Sequence, residues 1–199
     1  MPYDRDVGAF DARSAGYEHG WRGRLHHDIV DIVVDMALRL DPAPRRVLDV
    51  GCGTGYLLRR VAGLVPDADS LVGVDPAPGM VSAAAAAGGD ARLAFHRGTA
   101  ETLPFPDATF DLVVATTSFD HWEDQAEGVR QIARVTAPGG HFVLADLLSM
   151  WMLPSVVTGP RRRVRTRRGA IALLATNGFQ VLGHRHLFVV LQAVSARRT

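Results

Sequence analysis

Apolar residues recur along the chain with two periods, one typical of helices and one typical of buried strands. Residues 30–40 carry apolar side chains at helical spacing and end at a proline-rich stretch, which predicts an amphipathic helix. Short apolar runs such as "RRVLDV" and "SLVGVD" predict buried strands. The pattern predicts helices at 30–40, 56–64, 78–87, 124–135 and 166–175, strands at 45–50, 70–75, 92–98, 109–118 and 141–148, a turn at 138–140 and a closing hairpin at 179–194. Because strands and helices alternate, we expect βαβ units and a mostly parallel sheet with helices on both faces.

Length and composition indicate a single globular domain over residues 1–199. The chain is 47% hydrophobic and 22% charged, with a net charge of +1, so a sizeable core is expected and no overall attraction to nucleic acid or membrane. The first residues lack the basic and apolar segments of a signal peptide. No apolar run reaches about 18 residues, so we expect no membrane span and a cytoplasmic location.

Two residue types restrict the chemistry further. Cys52 is the only cysteine, which excludes an internal disulfide and a cysteine metal cluster. The chain has no lysine, and all 22 basic residues are arginine. A lysine Schiff base with pyridoxal phosphate and a phosphate-binding loop of the G-x-x-x-x-G-K type are therefore excluded. His19, His26 and His27 have no carboxylate at an H-x-x-E spacing, so no metal site is expected.

The stretch "VLDVGCGTGYLLRR" joins the first strand to a helix through Gly51, Gly53 and Gly55. Glycine there permits positive φ and a close approach of backbone to ligand. Asp75 ends the second strand about 20 residues later, where an acid can accept hydrogen bonds from both hydroxyls of a ribose. We infer an adenosine-type cofactor, with a purely structural turn as the alternative. In the dinucleotide fingerprint the third glycine would fall at Tyr56, which disfavours a pyrophosphate and a nicotinamide dehydrogenase.

These segments resemble the class I S-adenosylmethionine-dependent methyltransferases, and within them the small ubiquinone/menaquinone-biosynthesis branch (methyltransferase type 11). The similar segments are "VLDVGCGTG", "LVGVDPAPGM", "GTAETLPFPDATFDLVVATTS", "RVTAPGGHFVLAD" and "LLATNGFQVL". The resemblance implies a Rossmann-like seven-stranded sheet, mostly parallel with the last strand antiparallel. It also implies S-adenosyl-L-methionine as cofactor and in-line methyl transfer to a small-molecule acceptor.

The resemblance assigns a role to each matched residue of the cofactor site. The methionine end of the cofactor would lie over the glycines, with Asp49 organising their loop by hydrogen bonds and Asp75 holding the ribose. Pro76 and Met80 would flank the adenine, although plain core packing is the alternative for Met80. The cofactor-binding residues assigned in this way are Tyr17, Asp49, Gly51, Cys52, Gly53, Gly55, Asp75, Pro76, Met80, Thr99, Ala100, Glu101 and Thr116.

The adenine-side loop departs from the family pattern at Thr99. Relatives commonly carry Asp or Asn there, whereas a threonine hydroxyl accepts one hydrogen bond and brings no charge. The amide of Ala100 would then read the ring, and capping of a short turn is the alternative role for Glu101. Tyr17 would lie over the cofactor, with a buried packing role as its alternative.

The acceptor side is less determined by the sequence. Residues 1–28 resemble an N-terminal lid, and residues 148–165 are predicted to form a second lid segment. His121, Trp122 and Trp151 are assigned to the acceptor pocket, and no catalytic base is named because methyl transfer mainly requires alignment.

Two other functions stay open beside a methyltransferase for small molecules. One is a module that binds S-adenosylmethionine without catalysis. The other is an RNA-modifying enzyme that uses the basic run Arg161 to Arg168. Nucleic acid is disfavoured because no aromatic residue interleaves with that run and "TTSFDHW" does not match the N-P-P-Y-type motif of DNA methyltransferases. A homo-oligomer is left open.

Overall fold

The computed structural model describes residues 2–12, 16, 20–148, 164, 166–188 and 191–199. Its strands are β1 (Arg46–Val50), β2 (Ser70–Asp75), β3 (Leu93–Arg97), β4 (Phe110–Thr116), β5 (Thr136–Asp146), β6 (Phe179–His186) and β7 (Gln192–Arg198). Its helices are α1 (Pro2–Asp11), α2 (Gly20–Leu40), α3 (Tyr56–Leu64), α4 (Pro78–Ala87), α5 (Gln125–Val135) and α6 (Arg167–Thr176). A short 3-10 helix, Phe119–His121, lies between β4 and α5.

The seven strands form one sheet in the order β3-β2-β1-β4-β5-β7-β6. The pairs among β1 to β5 are parallel, and β7 pairs antiparallel with both β5 and β6. The predicted mostly parallel sheet with its last strand antiparallel is therefore confirmed. Parallel sheets covered on both faces have strands with nearly continuous apolar runs, which is why the pattern located β1, β2 and β4.

The core consists of two apolar layers, one on each face of the sheet. One layer packs α2 and α3 against alternate residues of the central strands, including Val47, Val114 and Ala145. The other packs α5 and α6 against the residues between them, including Leu48 and Val113. Successive side chains of a strand point to opposite faces, so each central strand supplies both layers. Within the described residues, no helix is long and apolar enough to span a membrane.

Polar side chains cap the first turns of two helices, α5 and α6. The Asp124 carboxylate accepts hydrogen bonds from the amides of Ala126 and Glu127 at the start of α5. The Thr166 hydroxyl accepts one from the amide of Gly169 at the start of α6. These N-caps satisfy amides that have no partner inside the helix.

The predicted turn at 138–140 is wrong, because these residues belong to β5. The register between β4 and β5 shifts between Phe110 and Leu112, and Gly139 adopts a positive φ of 79°. A Cβ on Gly140 would lie 2.8 Å from the carbonyl oxygen of Asp111. The two glycines thus allow an irregular strand pairing in which two backbones come close together. Glycines also mark turns, so the sequence alone does not distinguish the two.

A first prediction compares the two flanking positions Gly53 and Gly55. Both have positive φ, but a Cβ on Gly55 would lie 2.7 Å from the Phe95 ring, whereas a Cβ on Gly53 meets nothing within 4 Å. We expect Gly55→Ala to lower the free energy of unfolding by about 2–4 kcal/mol through crowding and backbone strain. Gly53→Ala should cost about 1 kcal/mol, from strain alone. Urea denaturation measures the free energy of unfolding of both variants. Equal losses would contradict the conclusion that Gly55 is crowded by Phe95 whereas Gly53 faces open space.

Candidate functional site

A cleft lies at the carboxyl ends of the central strands, where ligands bind in open α/β sheets. It has an empty volume of about 980 Å³, including its open mouth. The glycine loop and the ends of β1, β2 and β4 form its floor, and α1 and α2 contribute Val7, Phe10, His26 and Val30 to its walls. The strand order reverses between β1 and β4, so the cleft lies at the topological switch point.

The three glycines of the loop serve different purposes. Gly51, Gly53 and Gly55 have φ values of 80°, 51° and 82°, which favour glycine. A Cβ on Gly51 would lie 2.3 Å from the Cβ of Ser118, and one on Gly55 would meet Phe95. Only Gly53 faces open space. The backbone at Gly53 is therefore the part of the loop that a ligand can approach closely.

Asp75 fixes this loop from the neighbouring strand. Its Oδ2 accepts a hydrogen bond of 2.9 Å from the amide of Gly53, and its Oδ1 accepts one of 2.9 Å from the amide of Ala77. Burial raises the pKa of this carboxyl, and the two amide donors oppose that shift. Each oxygen retains a lone pair, so the carboxylate can still accept from a ligand's hydroxyls.

Asp49 does not organise the loop by hydrogen bonds, because that role belongs to Asp75. The Asp49 side chain is 3% exposed, lines the cleft and accepts no hydrogen bond from the described part of the chain. Burial, followed by the charge of Asp75, raises the pKa of Asp49 to about 8. A buried carboxyl without a donor is costly unless a ligand supplies one.

Thr116 presents a second buried polar atom without a partner. Its Oγ1 has no hydrogen-bond partner among the described residues, and Thr116 lines the cleft. Asp49 pairs with Val114 across β1 and β4, and side chains two residues apart share a face. Asp49 and Thr116 therefore point from the same face of adjacent strands toward the same space.

The residues assigned to the adenine line the opposite part of the cleft. Pro76, Met80, Thr99, Ala100 and Glu101 are all in its wall. The Thr99 and Thr102 hydroxyls lie 3.1 Å apart and share a hydrogen bond, and Glu101 accepts one from the amide of Asp124. Met80 is 2% exposed, so it belongs both to the core and to the cleft wall.

His121, which the sequence assigns to the acceptor pocket, lies at the end of the 3-10 helix. Its ring meets the ring of Phe10 edge to face, with centroids 5.0 Å apart, and both residues line the cleft. Asp146 anchors this helix by accepting hydrogen bonds from the amides of Phe119 and Leu147. Burial raises the pKa of Asp146 to about 6.

Trp122 is 5% exposed and lines the same wall. Its ring packs edge to face on Phe119 at 5.0 Å, and a Cβ on Gly128 would lie 2.6 Å from it. Trp122 is therefore a packing residue that also presents surface to the cleft.

The structure adds Asp11, which the sequence did not indicate, and shows the contacts of Thr117 and Ser118, which the sequence placed at the end of the fourth strand. Ser118 donates a hydrogen bond to the carbonyl of Val50, and Asp11 at the end of α1 accepts one from the amide of Gly79 in α4. Thr117 holds an unusual φ of 52°, which turns the chain from β4 toward the 3-10 helix. The positions just after the fourth strand were the available signal, since strand ends form the cleft of this fold.

Some assigned residues lie outside the described part of the chain. These are Tyr17, Trp151, most of the segment 148–165 and half of the run from Arg161 to Arg168. Among the residues that are described, no group of three potential ligands could hold a metal ion.

Comparison with known proteins agrees with this geometry. Residues 48–144 match the family model "Methyltransferase domain". The demethylmenaquinone methyltransferase of Deinococcus radiodurans is 35% identical over 135 residues, which are 67% of this chain and 52% of that protein. The chain thus spans about half the length of that relative.

Two further likenesses extend over more of the chain. The 27-O-demethylrifamycin SV methyltransferase of Amycolatopsis mediterranei is 30% identical over 90% of this chain and 72% of its own length. A methyltransferase structure from Aquifex aeolicus has a TM-score of 0.76 at 17% identity, over 95% of this chain and 98% of that one. By sequence and by fold, the chain belongs to the class I S-adenosylmethionine-dependent methyltransferases.

Proposed function

We propose that the protein transfers the methyl group of S-adenosylmethionine to a small-molecule acceptor. The observation that carries the proposal is the open backbone face of Gly53, which the Asp75 carboxylate holds in the cleft. The same cleft contains Asp49, whose carboxyl has no hydrogen-bond donor among the described residues. The names of the two relatives above describe enzymes that methylate small molecules.

The residues of the cleft fit this cofactor. Gly53 leaves room for the methionine end, and Asp75 retains acceptor capacity for the ribose hydroxyls. Asp49 and the Thr116 hydroxyl offer a buried carboxyl and a buried hydroxyl to the polar groups of the methionine end. A carboxylate without a protein donor complements a cationic ligand, because an opposite charge favours its ionised form.

Bound S-adenosylmethionine supplies a methyl group on a positively charged sulfur, which is already a strong donor. The protein's task is therefore alignment and exclusion of water. Val7, Phe10 and Val30 cover the cleft from α1 and α2. Holding two reactants in line contributes about 7–11 kcal/mol of barrier reduction.

Two imidazoles face the cleft and can take a proton from the acceptor. His26 on α2 and His121 after β4 both line it, and a neutral imidazole has one ring nitrogen that can accept a proton. A general base adds about 10²–10⁴-fold, and only where the acceptor's proton must leave. Phenol, amine and activated-carbon acceptors differ in this need, so an acceptor panel should contain all three.

The proposal is tested by calorimetry with S-adenosylmethionine together with turnover on that panel. Gly53→Val, which places a branched side chain where a ligand must approach, should abolish both binding and turnover while the protein remains folded. Gly53→Ala is the comparison variant, because it adds a smaller side chain at the same position and should weaken binding less. Gly63→Val would not serve as a control, because Gly63 lies inside α3. Parent-like cofactor affinity in Gly53→Val would refute the site, and binding without turnover would favour a binding module.

A third prediction concerns the ribose. Asp75→Asn keeps the shape but removes the charge, and hydrogen bonds to a charged group contribute about 1.5–3 kcal/mol. We expect cofactor affinity to fall about 10- to 150-fold by the same principle. A deoxyribose analogue should bind the parent poorly and lose little more in the variant. If the loss from the deoxyribose analogue and the loss from Asp75→Asn add up independently, Asp75 acts only by holding the loop.

A fourth prediction follows from the raised pKa of Asp49. The folded protein holds a proton on Asp49 up to about pH 8, whereas the unfolded chain loses it near 3.8. The stability from this proton is fully present below the unfolded pKa and is lost as pH rises through the folded pKa. Relative to Asp49→Asn, the ligand-free parent should therefore lose stability between pH 4 and 8, measured by thermal unfolding.

The same carboxyl should couple cofactor binding to pH. A cationic ligand favours ionised Asp49, so the affinity of the parent should rise between about pH 6 and 8, and binding should release a proton. The comparison with Asp49→Asn removes the titration of the cofactor's own α-amino group, which lies near pH 8. A pH dependence equal in both proteins would exclude contact between Asp49 and the cation.

A further inference from the structure

Charge is distributed very unevenly along the chain. Residues 147–199 contain no aspartate or glutamate, although nine of the 22 arginines lie there. All 21 acidic residues lie before that point. The net charge of +1 therefore hides a strongly basic C-terminal part and an acidic remainder.

The arginines of the two parts also have different partners. Six of the thirteen arginines in the acidic part form ion pairs, namely Arg45–Asp69, Arg46–Asp111, Arg60–Asp31, Arg92–Asp90, Arg130–Glu127 and Arg134–Asp107. Arg167 instead lies 3.3 Å from the neutral Gln192 Oε1 and 3.3 Å from His186 Nε2. Arg168 and Arg185 are exposed and have no ion pair or hydrogen bond within the described residues. Among the described residues, these three cations have no acidic partner.

Strand register places these arginines at the edge of the sheet that holds the cleft. His186 pairs with Gln192, and Gln192 pairs with Asp146 at the carboxyl end of β5. The end of β6 therefore lies level with the carboxyl ends of the central strands. Arg167 contacts Gln192, so the start of α6 with Arg168 lies there too.

Large apolar side chains are exposed at the same edge. Leu147, directly after β5, is 37% exposed, and Phe188, in the β6–β7 connection, is 41% exposed. Trp21 and Leu25 are 65% and 40% exposed. They lie in the part of α2 that carries the cleft residue His26. We call the set Trp21, Leu25, Leu147, Arg168, Arg185 and Phe188 the carboxyl rim.

We propose that the carboxyl rim docks onto an anionic membrane surface, with the mouth of the cleft facing the bilayer. Stable attachment of a peripheral protein takes apolar insertion together with attraction to anionic headgroups, and the rim supplies both. Tryptophan and phenylalanine suit the interfacial zone, and arginines without acidic partners keep their attraction for lipid phosphates.

The rim favours a membrane over nucleic acid because aliphatic side chains share it with the aromatic ones. Leu25 and Leu147 gain free energy on leaving water for lipid, whereas strand binding relies on stacking and cations. On the basis of the proposed function, docking would let a lipophilic acceptor enter the cleft from the bilayer. The docking itself is independent of methyl transfer.

Flotation with lipid vesicles tests the proposal on the full chain. We expect binding to vesicles rich in phosphatidylglycerol, little binding to phosphatidylcholine alone, and weakening as salt screens the charges. Because each arginine near an anionic surface contributes about fivefold, the double variant Arg168→Glu with Arg185→Glu should lose at least about thirtyfold in affinity. The matched control, Arg45→Glu with Arg130→Glu, changes the net charge equally and breaks only exposed ion pairs, which contribute little to stability.

A second pair of variants tests the apolar contribution. Phe188→Ser should weaken vesicle binding about tenfold through lost burial, whereas Leu64→Ser, at the far end of α3 and 47% exposed in the parent, should not. Absence of binding to anionic vesicles, or equal losses in rim and control variants, would overturn the proposal. Tighter binding to bulk transfer RNA, unaffected by Phe188→Ser, would assign the rim to nucleic acid instead. Calorimetry with S-adenosylmethionine on each variant distinguishes these results from failure of the proposed function.

Discussion

The cleft depends on one carboxylate that connects two strand ends. One oxygen of Asp75 accepts a hydrogen bond from the amide of Gly53, and the other accepts one from the amide of Ala77. The first bond fixes the turn that leaves β1, and the second fixes the entry to α4. The glycine loop in the floor of the cleft and the entry to α4 are therefore held by one side chain. A loop that is already held in place needs no reordering when a ligand arrives, which lowers the ordering cost of binding.

The strands were predictable because burial on both faces leaves a clear apolar signature. The glycine loop was predictable as a loop, but the division of labour within it was not. Gly51 and Gly55 make room for Ser118 and Phe95, and these neighbours come from distant parts of the sequence. The turn expected at 138–140 failed for a related reason, since proline and glycine also mark an irregular strand pairing.

Site residues that act through long-range contacts could not be predicted. Asp146 reaches Phe119 across 27 residues, and Ser118 reaches Val50 across 68. Nothing local distinguishes these side chains from other polar residues at strand ends. Asp49 was expected to organise the glycine loop by hydrogen bonds, but Asp75 does so instead. Which carboxylate reaches the loop depends on where β2 ends relative to it. The resemblance of the motifs identified which residues line the cleft, whereas their individual contacts depend on the tertiary structure.

The N-terminal helix contributes to more than the cover of the cleft. The start of α4 has no side-chain cap from its own N-cap residue, Ala77, and Asp11 of α1 accepts the amide of Gly79 instead. The next residue back, Phe10, packs on His121 across the cleft. Displacement of α1 would leave the amide of Gly79 to water and would separate the rings of Phe10 and His121 at the same time. One helix therefore ties the start of α4 to the 3-10 helix after β4, two elements far apart in the sequence.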